Sequence, residues 1–273
     1  MKRAVDRASV AAYAGLLVFF FLFLLAPLLV AITMSLDART YVGRFPPPGL
    51  SLQWFRKFFG DDLFLDGLRT SVELGFATAL CSAAVGTAAA FFLHFARFPG
   101  RAVAVGLFLS PMLVPHIVFG FALLVLLTVA GIDDVFTGLL IGHVVVTLPY
   151  TIRTVLASLA GIRPGLVEAA MVLGASEYRA LWDVVLPLAR TGVIAGGVMA
   201  LAVSMDEVTM SVFLIDPFTY TLPTALFATM RDSFNLVIAA AAVLLIGVSV
   251  LAIVLLERII GLDRLIGRGA YRA

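Results

Sequence analysis

Between Ala11 and Met34 the chain runs for 24 residues without an Asp, Glu, Lys or Arg, and five further largely apolar stretches of similar length follow. Crossing a bilayer takes about 20 residues of helix. The sequence therefore predicts six transmembrane helices, near 11–34, 68–93, 102–129, 138–159, 191–214 and 234–257. Composition agrees. Hydrophobic residues make up 62% and charged residues 13%, whereas soluble domains hold about 45–50% apolar and about 25% charged residues. A soluble fold of this length has too little interior for so much apolar surface, so the excess must face lipid. Disorder and a collagenous repeat are excluded by the same figures, and a disulfide scaffold by the solitary Cys81. A net charge of +2 is too small to point to a nucleic-acid partner.

The first stretch is longer than the 7–15 apolar residues of a secretory signal, and no clear small-residue cleavage site follows it. It reads as a retained anchor. The segments His94–Arg101 and Gly131–Thr137 read as short turns between antiparallel helices. Lys and Arg, which favour the cytoplasmic side, divide 13 to 6 when the N-terminus is placed inside. The outer loops carry Asp37, Asp61, Asp62, Asp66, Asp133, Asp134, Asp216 and Asp232 instead. Both termini are predicted to be cytoplasmic. The resulting organisation is a cytoplasmic N-terminus (1–10), the anchor (11–34), a periplasmic loop (35–67), a five-helix core (68–257) with a cytoplasmic loop (160–190), and a cytoplasmic C-terminus (258–273).

The periplasmic loop passes through Pro46-Pro47-Pro48-Gly49 and then an aromatic and basic run, Trp54-Phe55-Arg56-Lys57-Phe58-Phe59. The prolines favour an extended stretch, and the run suits a short helix in the membrane interface. It serves either as a collar closing the outer surface or as a docking surface for an external protein.

Catalytic chemistry finds no footing. A phosphate-cradling loop requires Gly-x4-Gly-Lys-Ser/Thr, and the only lysines, Lys2 and Lys57, are not so placed. His94, His116 and His143 lack metal-ligand spacing, and His94 and His143 are expected near helix ends. No Gly-x-Ser-x-Gly elbow occurs. No enzyme activity, no bound metal and no cofactor on this chain are expected.

The cytoplasmic loop is the most informative segment. Pro164 suits a first helical turn, and Glu168 lies early in that helix, favourable to its dipole. Gly174 can take the left-handed conformation that ends a helix. Ser176 is placed to cap a second helix that Pro187 limits. Ala169 and Ala170 beside Glu168, with Leu173 one turn on, make a low, knobby face for a groove on another protein. The alternative is a loop that packs only on its own helix ends.

Glu168-Ala169-Ala170, Gly174, Val184 and Leu186-Pro187 resemble the Glu-Ala-Ala signature of binding-protein-dependent ABC importer permeases, with Val184 where isoleucine is usual. Its six fixed positions would match by chance about once per million windows of average composition. Leu148-Pro149-Tyr150, Leu173-Gly174-Ala175-Ser176 and Leu52-Gln53-Trp54-Phe55 are similar to the same family. The resemblance implies an all-α, six-span permease of the type I importer fold, with five core helices and an N-terminal wrapping helix. It implies a second permease, often non-identical, two cytoplasmic ATPase subunits and a periplasmic substrate-binding protein, with ATP and Mg on the ATPases. The loop then acts as a coupling helix through Glu168, Ala169, Ala170, Leu173, Gly174 and Pro187.

In the fifth predicted span, Ser204-Met205-Asp206-Glu207-Val208-Thr209 places two carboxylates inside the membrane, where they are costly and face a partner or a wet path. On a continuous helix Glu207 shares a face with Ser204 and Ser211, and Asp206 with Thr209. Either one acid lines the outer pathway while its neighbour braces the helix, or the two form a hydrogen-bonded pair holding two permeases together. With Thr221-Leu222-Pro223, the segment resembles the polyamine branch, the second permease of spermidine and putrescine importers. An anionic path suits a diammonium cargo. Relatives handling amino acids, phosphonates or iron carry similar segments. A secondary transporter and a structural membrane protein are the other classes weighed, but neither would need the cytoplasmic hairpin.

Overall fold

The computed structural model of the chain describes residues 2–260 except 97, 164 and 234. The expectations attached to Arg97, Pro164 and the tail from 261, with Arg264, Arg268 and Arg272, lie outside the described residues. Every regular element among the described residues is helical, and the only strand-like pairing is the isolated bridge of Asp37 with Leu50. The helices are α1 (Lys2–Ser35), α2 (Gln53–Phe59), α3 (Asp62–Phe95), α4 (Arg101–Leu109), α5 (His116–Ala130), α6 (Val135–Ala160), α7 (Gly165–Val172), α8 (Glu177–Ala180), α9 (Leu186–Asp206), α10 (Leu222–Asp232) and α11 (Val237–Ile260). They form two compact units: one of the residues up to Asp62 with Ala228–Gly247, the other of Leu63–Phe227 with the residues from Val248 on.

Four helical segments are long and apolar enough to cross a membrane: Tyr13–Ser35, Asp62–Phe95, Val135–Ala160 and Glu177–Asp206. The third predicted span is not one straight helix. Arg101–Leu113 and His116–Ala130 meet at 106°. Pro115 lacks an N–H and disfavours helical backbone in the residue before it, and Val114 is extended (φ −86°, ψ 127°).

The fifth span is also shifted. Its helix begins at Glu177 and ends at Asp206, where the sequence predicted 191–214. Pro187 does not stop it. A π turn, Leu181–Val185, lies immediately before the proline, and the Leu186 N–H reaches back to the Leu181 carbonyl. That wider turn carries the helix past a residue that would otherwise interrupt the ladder.

In the larger unit, α6 and α9 pack backbone to backbone. A Cβ on Gly196 would lie 2.9 Å from the Thr151 Cα and 2.8 Å from its Cγ2. Small residues that let helices approach closely are the usual means of helix association in lipid, where hydrophobicity supplies little drive. Leu74, Leu123, Leu139, Val146 and Met210 bury one apolar cluster, and Leu93, Ile152, Val155, Leu159 and Val185 another.

In the smaller unit, α2 forms after the prolines as expected, but it does not simply lie in the interface. Trp54 and Phe58 are buried. The Gln53 Nε2 and Trp54 Nε1 groups donate to the Asp37 carbonyl at 3.0 and 2.9 Å. The buried Asp37 carboxylate takes the Arg39 guanidinium at 3.0 Å (Nε) and 2.5 Å (Nη2). This Arg39 contact holds the Asp37 carboxyl below the usual carboxylate range.

Candidate functional site

The larger unit gathers intramembrane polar side chains from α5, α6 and the end of α9. α9 stops at Asp206 because Glu207 leaves the helix, with φ −77° and ψ 109°. The Glu207 carboxylate then receives the Met210 N–H on Oε1 at 2.8 Å, and the Ser211 Oγ donates to the Glu207 carbonyl at 3.0 Å. Side chains thus satisfy backbone that the broken helix would strand in a medium without water. A short 3-10 turn, Ser211–Phe213, follows.

Glu207 is buried, 6% exposed. Its second oxygen lies 2.7 Å from the Nδ1 of His116, the first residue of α5. Both carboxyl oxygens of Glu207 thus have hydrogen-bond partners, the Met210 N–H and the His116 Nδ1. Asp206, one residue earlier, is exposed. It lines a recess of about 460 Å³ together with His116, Tyr150, Glu207 and Thr209.

Bonded to the same broken segment is His143, 1% exposed within α6. Its Nδ1 is 2.8 Å from the Ser204 Oγ and its Nε2 is 2.9 Å from the Ser211 Oγ. A hydroxyl has one proton, and that of Ser211 goes to the Glu207 carbonyl. The His143 Nε2–H therefore donates to Ser211, and Nδ1 accepts from Ser204. The neutral ring satisfies every partner. One turn on, Thr147 donates to the His143 carbonyl at 2.7 Å, which leaves its oxygen to accept from Ser82 at 2.7 Å.

The structure thus corrects the expected placement of this segment. Ser204, Glu207 and Ser211 do come together, but across a helix break and around His143 rather than along one helical face. Asp206 and Thr209 share the recess without a hydrogen bond to each other among the described residues. His143 is not at a helix end. His116 and His143 were missed as site residues. Their one available signal was an imidazole within an otherwise apolar span, a cost that calls for a partner.

The coupling-loop residues lie on a separate hairpin. Gly174 has φ +95° and ends α7 in a Schellman arrangement, with the Ala175 N–H on the Ala170 carbonyl and the Gly174 N–H on that of Met171. Ser176 caps α8 by accepting the Arg179 N–H at 3.3 Å. Glu168 and Ala169 are exposed, Ala170 is half-buried, and Val172 and Leu173 stand 87% and 89% exposed. Pro187 lies in the first turn of α9. Among the described residues no cluster of His, Cys, Asp and Glu could hold a metal ion.

Residues 82–261 match the family described as the binding-protein-dependent transport system inner membrane component. The chain belongs to that family. It is an ABC importer permease component and a multi-pass inner-membrane protein. Among curated relatives, the spermidine/putrescine transport system permease protein PotC of Haemophilus influenzae is 32% identical over 87% of this chain and 91% of its own length. The putrescine transport system permease protein PotI of Escherichia coli is 27% identical over 83% of each chain. The molybdate/tungstate transport system permease protein WtpB of Pyrococcus abyssi is 28% identical over 80% of this chain and 87% of the relative. The fold matches a chain of a bacterial ABC transporter that imports the acidic polysaccharide alginate, with a TM-score of 0.75 and 15% identity over 93% of this chain and 96% of that one. The permease is therefore of the all-α, type I importer fold.

Proposed function

We propose that this permease forms half of the translocation path of an ATP-driven importer whose cargo is a polyamine such as spermidine or putrescine. The observation that carries the cargo is the pairing of an exposed Asp206 with a sequestered Glu207 at a broken helix end. One carboxylate is held by His116 and Met210 and braces the break. The other is free to meet an ammonium group, with Tyr150, Thr209 and the half-exposed His116 around it. Ser204 and Ser211 support the path through His143. The Haemophilus influenzae and Escherichia coli relatives, named for spermidine/putrescine and putrescine transport, support the same cargo.

In this reading α11 is the sixth span, beside the four long helices and the bent pair α4–α5. Both termini are cytoplasmic, and the order of anchor, outer loop, five-helix core and coupling loop follows the sequence, with α3 and the helix from Glu177 starting earlier than expected. The loop 160–190 is the coupling element, working through Glu168, Ala169, Ala170, Leu173, Gly174 and Pro187 on one of two cytoplasmic ATPases that hold ATP and Mg. Its exposed Val172 and Leu173 support this, because apolar side chains at a helix tip gain stability from burial on a partner. A second, non-identical permease and a periplasmic binding protein complete the complex, and closure of the ATPases would drive alternating access.

A second reading, import of another small solute, is favoured by the relative named for molybdate and tungstate. Uptake by the reconstituted complex separates the two. Asp206→Asn is expected to lower labelled putrescine uptake about tenfold, the equivalent of about 1.4 kcal/mol. Unchanged putrescine uptake by that variant, or molybdate uptake by the parent complex, would overturn the polyamine path.

A further inference from the structure

His94 in the last turn of α3, Arg101 at the start of α4 and Arg163 just ahead of α7 line one recess of about 380 Å³, rimmed by Phe95, Phe98 and Val167. Among the described residues no Asp or Glu lines it, and neither guanidinium makes an ion pair. The Arg101 Nε donates to the Leu93 carbonyl at 2.6 Å. That bond anchors the guanidinium at the end of α3 and leaves its terminal N–H groups for another acceptor. Two uncompensated arginines and an imidazole in one concavity form an electropositive site that an oxygen anion would satisfy.

We propose that this recess binds a phosphate group, presented either by an anionic lipid head group or by free phosphate. The guanidiniums would take the phosphate oxygens in the forked geometry that favours arginine over lysine. Phe95, Phe98 and Val167 offer an apolar wall to the part of a lipid below its phosphate. The recess lies at the end of α3, a helix long and apolar enough to cross a membrane, and basic pockets between such helices recognise anionic lipids. Arg163 and Val167 belong to the hairpin that carries α7, so a bound phosphate would tie the foot of α3 to that hairpin. The proposal is independent of the polyamine reading, since neither Asp206 nor His116 takes part.

The test uses the purified full-length complex in nanodiscs of phosphatidylcholine with and without phosphatidylglycerol, read by native mass spectrometry after delipidation. A parallel arm measures the melting temperature with inorganic phosphate in place of chloride. The complex is expected to retain phosphatidylglycerol over phosphatidylcholine. Arg163→Gln should weaken that retention about fivefold, and the double variant with Arg101→Gln further. The Arg163 side chain makes no hydrogen bond among the described residues, and its carbonyl keeps the Leu166 N–H in any variant, so R163Q tests the site without disturbing the turn. A melting-temperature rise with inorganic phosphate that R163Q abolishes would identify free phosphate as the source, whereas selective lipid retention alone identifies the head group. Absence of both effects in the parent complex, or an equal loss in an Arg153→Gln control that does not line the recess, would overturn the site.

Discussion

At the scale of single residues, the decisive fact is the unequal fate of two adjacent acids. Asp206 is the last helical residue and open to the recess, and Glu207 is turned inward onto His116 and a backbone N–H. Adjacent positions on a regular helix would diverge by about 100°. Here the break does more than rotate one of them, because it converts Glu207 from a candidate cargo group into the cap of the next turn. His143 is the second such residue. His143→Leu would leave the Ser204 hydroxyl without its ring partner and the Ser211 hydroxyl without the donor it now receives, at a cost of about 1–3 kcal/mol per unsatisfied buried group. The expected outcome is a clear fall in the melting temperature of the detergent-purified complex. An unchanged value would mean that water replaces the ring at no cost.

At the scale of elements, the hairpin of α7 and α8 follows closely from local chemistry. Glycine where φ must be positive, serine where an orphan N–H needs an acceptor, and glutamate in a first turn all act within a few residues of themselves. Gly174→Val forces a β-branched residue to φ +95°, at a cost of about 1–2 kcal/mol. With the Glu168→Lys charge reversal, it is expected to leave membrane insertion intact while separating ATP hydrolysis from uptake in proteoliposomes. Normal coupling in both variants would remove the hairpin from the energy path.

The loop between α1 and α2 has a pH-sensitive fastening. The Asp37 carboxyl is held below its ordinary value of 3.8 by Arg39, so its contribution to stability is present above about that pH and is lost as pH falls through the lower, folded value. Arg39→Ala should therefore make residues 36–52 more susceptible to an acid-active protease at mildly acidic pH, an effect readable by limited proteolysis. Equal cleavage of parent and variant across the titration would show that the pair does not hold the loop.

At the scale of the whole molecule, close helix approach sets the architecture. Gly196→Leu would drive a side chain into the backbone of α6 and, by overpacking, cost about 1–3 kcal/mol or more. It should reduce the yield of folded, monodisperse complex on size-exclusion chromatography. Orientation is open to direct measurement. In a Cys81→Ser background, Leu173→Cys should react with an impermeant maleimide only from the cytoplasmic face and Tyr41→Cys only from the periplasmic face. The reverse pattern would invert the membrane topology.

The sequence alone determined that this is an apolar, all-helical membrane protein and how the α7–α8 hairpin turns. Those properties depend on run length, composition and contacts between residues close along the chain. Only the tertiary structure decided that Arg101–Leu113 and His116–Ala130 bend at Pro115, that a helix continues through Pro187, and that His116 and His143 join Ser204, Glu207 and Ser211. Such pairings link residues 61 to 91 positions apart. No local propensity records which distant side chain will satisfy a polar group once water is excluded.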